Sequence, residues 1–194
     1  MQQLLTGKMR LKGFSGKWKE YRLKAICKIS KGEQLNKIDL EKTGIYPSYS
    51  GGINPSGYTD KWNTNENTII ISEGGNSCGY INFVTTKFWC GGHCHASLDL
   101  KETIKRDFLF QALKHQEHKI MKLRVGSGLP NVQKKDLENY SIVIPSIEEQ
   151  TAIAEVLQTA DKEIELLKAK TEKLKEQKKG LMQALLTGRV RLRI

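Results

Sequence analysis

The sequence predicts an α+β domain followed by one long C-terminal coiled-coil helix. Three observations carry this. Over residues 153–185 apolar positions recur in steps of four and three, the period of a helix that keeps one seam toward a partner. Upstream, short β-branched runs at 67–72 and 79–84 are separated by glycine-rich turns, as strands are. Between these regions, residues 103–123 place Phe108, Ala112, Leu113 and Ile120 at near-helical spacing.

The long helix is read from 146 to 187. Pro145 closes the apolar run 140–144, and Ser146 stands three residues before Glu149, the pattern of a capping box. The seam runs through Ile153, Leu157, Ala160, Ile164, Leu167, Thr171, Leu174, Lys178, Leu181 and Leu185. At 1.5 Å per residue such a helix is roughly 60 Å long, too long to cover its seam on one small domain. Thr171 and Lys178 interrupt the seam; polar core positions weaken packing while fixing register and partner number. Lys178 can lay its stem along the seam with its ammonium in water. Gly180 costs about 1 kcal/mol relative to alanine, and Gly188 fits a C-terminal stop. The seam is therefore expected to face a second helix, the alternative being a helix laid along its own domain.

Residues 1–11, MQQLLTGKMRL, return at 182–192 as MQALLTGRVRL, identical at eight of eleven positions. A spacing of this size is no solenoid period; the chain opens with a copy of the end of its own last helix. The segment 18–29 mixes apolar and basic residues as an edge strand or short helix does. The Gly- and Tyr-rich stretch 44–63 reads as turns rather than core. Residues 67–72 read as a buried strand and 79–84 as its neighbour, joined by Glu73-Gly74-Gly75-Asn76-Ser77-Cys78-Gly79. Residues 124–133 read as a loop, 134–139 as a helical turn and 140–144 as a last strand. The expected organisation is a helix-end remnant at 1–11, one α+β domain at 12–145, the coiled-coil helix at 146–188 and a tail at 189–194.

Charge is unevenly spread. The chain has 32 Lys and Arg against 21 Asp and Glu. Residues 146–194 hold ten basic and eight acidic side chains, leaving 22 and 13 for residues 1–145, a net of +9. A basic globular part beside a nearly balanced helix points to a polyanion, nucleic acid before a membrane surface. No apolar run approaches the roughly 20 residues that span a bilayer, and the start lacks the layout of a signal peptide. The expected location is cytoplasmic, with Cys27, Cys78, Cys90 and Cys94 as thiols.

No catalytic motif is complete in the sequence. Cys90-Gly91-Gly92-His93-Cys94-His95 has the look of a metal cluster, but structural zinc takes a second ligand pair from a distant segment and none exists here. The expected metal content is none. The 73–79 loop lacks the ending of a P-loop and the spacing of a dinucleotide fingerprint; a strand-to-strand turn is expected, a DNA-phosphate contact being the alternative. Asn54-Pro55-Ser56-Gly57 is a near miss for an amino-methyltransferase motif, and Asp99-Leu100-Lys101 has no acidic partner upstream. No catalytic residues are assigned and no cofactor is expected on this chain.

What remains is a set of polar, basic and aromatic residues near turns: Tyr46, Tyr49, Ser50, Asn54, Tyr58, Lys61, Asn76, Lys87, His93, Arg124, Ser127, Asn131 and Lys134, with Trp62 and Lys135 beside them. Lys and Arg on phosphates supply affinity, while Arg, Asn, Gln and Ser on base edges supply readout. These are the candidate DNA contacts.

Several motifs together resemble the specificity subunit of type I restriction–modification enzymes, over nearly the whole chain. The most specific is the run from Ile144-Pro145-Ser146-Ile147-Glu148-Glu149-Gln150 through Thr151-Ala152-Ile153-Ala154-Glu155-Val156-Leu157, which is similar to the family's entry into its conserved helix. The exit Leu185-Leu186-Thr187-Gly188-Arg189-Val190-Arg191 matches as well. So do Tyr46-Pro47-Ser48-Tyr49-Ser50 with Gly51-Gly52, Ile71-Ser72-Glu73-Gly74, Phe88-Trp89 and Gly126-Ser127-Gly128-Leu129-Pro130-Asn131. The resemblance implies a target-recognition domain that reads half of a split site in double-stranded DNA. It also implies a conserved helix that acts as a ruler and holds methyltransferase subunits, with a restriction subunit in the full complex. Adenosylmethionine is then expected on the partner methyltransferase. A full subunit carries two domains and two helical regions, and this chain resembles one half.

Two functions follow as expectations. The first is a non-catalytic DNA-recognition half subunit that recruits a methyltransferase, working as an antiparallel homodimer on an interrupted palindrome. The second is a truncated interaction element that docks on the methyltransferase through its helix and limits assembly without productive DNA reading.

Overall fold

A computed structural model describes residues 2–36, 40–126 and 128–191. The first short helix, α1 (Gln2–Leu5), precedes strand β1 (Lys19–Arg22), helix α2 (Leu23–Ile26) and strand β2 (Lys28–Lys31). The segment expected to be an edge strand or a short helix is thus both in succession. Strands β3 (Tyr46–Tyr49) and β4 (Gly57–Thr59) follow, then β5 (Thr68–Ser72), β6 (Ile81–Val84), β7 (Trp89–Cys90) and β8 (Cys94–Leu98). Helices α3 (Arg106–His115), α4 (Glu117–Met121) and α5 (Lys134–Asn139) lead to β9 (Ser141–Ile144) and the long helix α6 (Ile147–Leu186).

Four strands form the central sheet in the order β2-β8-β5-β6, every neighbour antiparallel. β5 is buried along its whole length, as its run of three isoleucines requires. A second sheet pairs β1 with β9, and a third runs β4-β3-β7 with β3 and β7 parallel. Ile70, Val84, Phe88, Cys90, Cys94 and Ala96 pack into one apolar cluster beneath the central sheet's β5 and β8.

Three local expectations are corrected. The stretch 44–63 is more than turns: it supplies β3 and β4, with Ser48 and Thr59 buried between them. Its alternation of Tyr, Pro and Ser hides the strand because polar residues here face inward. The Cys/His segment, expected as plain thiols on a polar loop, is a loop only at 91–93: Cys90 ends β7, Cys94 and His95 open β8, an interior strand of the sheet, and Cys90 and Cys94 are core residues. The predicted helix over 103–123 breaks at Gln116, whose amide bonds the carbonyls of Ala112 and Leu113, giving α3 and α4.

A fourth correction concerns the start of α6. Glu149 does not close a capping box. Its side chain, 2% exposed, turns to Arg10, and Glu148 takes the place at the helix start. The Glu148 carboxyl is held below its usual range by its own backbone amide first and the Ser146 hydroxyl second. Gln150 is buried beside it: its amide nitrogen donates to Thr103 and Pro145 carbonyls, and its oxygen accepts from the Lys105 amide.

Contacts divide the chain into two units, residues 1–154 and 155–194. The first contains α1 to β9 and the opening turns of α6. The second is the remainder of α6 and its terminal turn. Among the described residues no helix is long and apolar enough to cross a membrane.

Candidate nucleic-acid interface

Backbone register brings three strand ends to one edge of the central sheet. Lys31 ends β2 opposite His95, and Ser72 ends β5 opposite Cys94. Four loops meet there and are tied to one another. The Gly51 amide donates to Cys94 Sγ at 3.0 Å and the Gly52 amide to Ser72 Oγ at 3.2 Å. The Glu73 amide donates to the His93 carbonyl, the Val132 amide to the Glu73 carbonyl, and the Gly75 amide to the Pro130 carbonyl. Gly51 sits at φ +80°, a backbone state that side chains disfavour, which lets the β3 loop turn sharply onto β8.

These loops enclose an open cleft of about 520 Å3 lined by Lys31, Ser50, Glu73, His93, Leu129 and Asn131 among others. Glu73 is its most buried charge, 12% exposed, with Oε1 accepting from Lys31 Nζ at 2.7 Å. Glu73 Oε2 has no hydrogen-bond partner among the described residues and lies 3.8 Å from His93 Nδ1. His95 lies behind it, fully buried, with Nε2 at 3.1 Å from the Val132 carbonyl. Burial pushes the His95 imidazole below its ordinary pKa, so it is neutral and its Nε2–H donates to that carbonyl. The loops around the cleft are tied to one another, and its rim mixes polar side chains with Leu129 and Pro130.

Three of the sequence-predicted contacts, Ser50, His93 and Asn131, converge in this cleft. Asn76 is exposed one residue beyond Gly75 of its lining, and Arg124 is exposed at the start of the loop whose Val125 and Asn131 bridge. Lys134 opens α5, 3.6 Å from Glu138. Ser127 lies outside the described residues. A second group sits apart, on and around β3 and β4. Tyr46 pairs across to Thr59 and Tyr58 to Pro47, while Asn54 and Lys61 are exposed in turns. Lys87 stands over the Trp62 ring at 4.2 Å. Tyr49 is partly buried: its ring meets Phe88 edge-on at 5.8 Å, and burial raises its hydroxyl pKa.

Sequence reasoning missed Lys31 and Leu129, and placed Glu73 in a loop considered for phosphate. A half-buried carboxylate there repels phosphate and instead accepts hydrogen bonds. The one available signal was Leu129, an apolar residue in a polar loop, which is 86% exposed at the cleft mouth. The thiols have structural roles, as Cys94 does toward Gly51. Burial raises the Cys90 pKa strongly and that of Cys94 to about 11.

A profile of the type I restriction modification DNA specificity domain matches residues 15–176. The chain belongs to this family. Among specificity-domain relatives, it is 32% identical over 180 residues to the type I restriction enzyme MjaVIII specificity subunit of Methanocaldococcus jannaschii, covering 88% of this chain and 42% of the relative. It is 29% identical over 170 residues to the EcoDI specificity subunit of Escherichia coli, covering 88% and 37%. The crystal structure of the type I system S subunit from M. genitalium superposes with a TM-score of 0.77 at 33% identity, covering 84% of this chain and 43% of that one. The HsdS subunit from Thermoanaerobacter tengcongensis shares the fold, with a TM-score of 0.62 at 22% identity over 87% of this chain and 44% of that one. The chain spans less than half the length of these relatives.

The specificity-domain helix divides in burial. Ile153 and Leu157, expected on the partner-facing seam, are each 1% exposed within this chain. Ala160 is intermediate. Beyond it Ile164, Leu167, Leu174, Leu181 and Leu185 are exposed by 38 to 65%, with Thr171 and Lys178 exposed between them. Thr171 turns its hydroxyl onto the Leu167 carbonyl at 2.8 Å, so it presents a methyl group and no free donor to the seam.

Proposed function

We propose that this chain is a non-catalytic DNA-recognition unit of a type I restriction–modification complex, reading one half of a split site and recruiting the methyltransferase. The cleft carries the reading. Membership of the specificity family and the net positive charge of residues 1–145 supply the context. In the cleft a buried carboxylate, an exposed histidine, a serine and an asparagine share one rim. Asparagine can take adenine with two bonds; Glu73 Oε2, buried and without a hydrogen-bond partner among the described residues, becomes an acceptor for cytosine N4 only once the side chain turns toward the rim. Lys31 neutralises the other Glu73 oxygen, which keeps the carboxylate compatible with a polyanion. Arg124, Lys134 and Lys61, outside the cleft, are assigned to phosphates, which add affinity without sequence information.

The exposed half of the α6 seam supports a homodimer. Two antiparallel helices cover both seams and set one recognition domain at each end of a rod; parallel helices put both at the same end. The two domains are then related by a two-fold axis and read identical half-sites in opposite orientation. Catalysis and adenosylmethionine belong to the methyltransferase subunits that the helices hold, and a restriction subunit joins through them. Selection of duplexes from a randomised pool by the full chain tests the reading. Enrichment of a defined half-site is expected. Retention that tracks only duplex length would favour the interaction-element function instead.

A further inference from the structure

The two copies of the terminal repeat fold alike and are buried differently. In the first, the Gly7 amide donates to the Leu4 carbonyl and the Met9 amide to the Gln3 carbonyl at 3.1 Å. In the second, the Gly188 amide donates to Leu185 and the Val190 amide to Ala184 at 3.1 Å. Gly7 has φ +69° and Gly188 φ +70°, the glycine-dependent stop of a helix in both. The first copy is seated on the domain through α1 against α3. Leu4 and Leu5 are 5% and 6% exposed, Gly7 approaches the Trp18 ring, and Arg10 pairs with Glu149 while lying over Trp18 at 5.7 Å. In the second copy Leu185 and Leu186 are 41% and 82% exposed.

The pattern of identity follows the contacts. Leu4, Leu5, Gly7 and Arg10 recur unchanged as Leu185, Leu186, Gly188 and Arg191. The three positions that differ, Gln3/Ala184, Lys8/Arg189 and Met9/Val190, are all exposed in the seated copy. A helix end with no docking role has no reason to keep a cradle's contact residues and vary only the rest. We infer that the terminal segment 182–192 is a second ligand for the cradle that residues 2–11 occupy, and that in a dimer it enters the cradle of the second copy of this chain. It displaces that copy's own N-terminal segment, an exchange of like for like of the kind seen in domain swapping. The inference deepens the homodimer reading and rests on it.

Two charge-reversal variants of the full chain separate the arrangements, and their net charges are equal. Glu149→Arg with Arg10→Glu restores the pair within one chain; Glu149→Arg with Arg191→Glu restores it only between chains. Sedimentation equilibrium is expected to give the second variant a dimer dissociation constant at least tenfold lower than the first. Equal constants in chains that still dimerise would overturn the exchange and leave the homodimer standing. A labelled peptide of residues 182–192, added to the wild-type full chain, should bind at least tenfold tighter than the same peptide with Arg191→Glu. Equal binding of the two peptides would overturn the cradle. A wild-type chain that stays monomeric while the peptide preference holds would overturn the homodimer reading and uphold the cradle.

Discussion

Arg10 and Glu149, 139 positions apart, form a two-point ion pair, Nε to Oε1 at 2.5 Å and Nη2 to Oε2 at 2.6 Å. The guanidinium is raised in pKa by this side-chain bond. The pair joins the chain's first segment to the first turn of α6, and Arg10 also donates to the Gly16 carbonyl at 3.0 Å. Removing the cation strands a carboxylate that is 2% exposed, and leaving a buried charge unpaired is among the larger single-substitution effects. Arg10→Ala should lower the Tm by roughly 5–10 °C for a chain of this size. Scanning calorimetry checks it; an unchanged Tm would mean that the pair is an incidental contact.

Stability should fall at mildly acidic pH. Burial holds the folded-state pKa of His95 below the ordinary 6.5, and His115 is shifted the same way for the same first cause. The unfolded chain then binds more protons as pH drops below about 6.5, so the stabilisation is complete above that pH and is lost toward the folded pKa. The urea midpoint should be lower at pH 5.5 than at pH 7.5, and His95→Gln should reduce the difference. Equal midpoints at both pH values would contradict the burial of a neutral His95.

On DNA, affinity should fall steeply with salt, about 0.9 units of log K per log salt for each phosphate contact. Arg124→Ala and Lys134→Ala should flatten that slope and leave sequence preference unchanged. Glu73→Gln and Asn131→Ala should keep the slope and relax the preference at one or two base pairs, each worth about 1–3 kcal/mol. Titration of labelled duplexes over a salt series reads both quantities. A preference untouched by both cleft substitutions would place base reading elsewhere on the domain.

The exposed seam predicts an association that one charge can break. Leu167 and Ile164 are 56% and 38% exposed. Leu167→Asp puts a carboxylate in the seam of each copy and should weaken the dimer at least about a hundredfold. Sedimentation velocity at micromolar concentration checks it; a dimer that persists would move the interface off this face.

Much of this fold is legible in the sequence because local pattern and tertiary environment agree. Residues 67–72, 79–84 and 134–144 form the strands and short helix that their periodicity predicts, and α6 begins and ends within a residue of its expected limits. The failures have physical causes. β3, β7 and β8 are built from Tyr, Pro, Ser, Trp, Cys, His, Ala and Leu without an apolar alternation, and their burial is bought by neighbours that no local window contains. The capping signal at Ser146 was overridden by a partner more than a hundred residues upstream, so Glu149 left the helix start for Arg10. Ser50, His93 and Asn131, singled out as polar residues near turns, line one cleft because the loops that carry them meet at one sheet edge. Lys31 and Glu73 were not singled out, because their pairing depends on β2, β8 and β5 lying side by side.

In the homodimer proposed above, two copies of this chain read one site through two-fold-related domains. Methylome sequencing of cells expressing this chain as the sole specificity component, together with its methyltransferase subunit, tests it most directly. The predicted result is one methylated motif made of two identical half-sites in inverted orientation, separated by a fixed gap set by the rod and the DNA helical repeat. An asymmetric motif, or methylation without a defined motif, would contradict it.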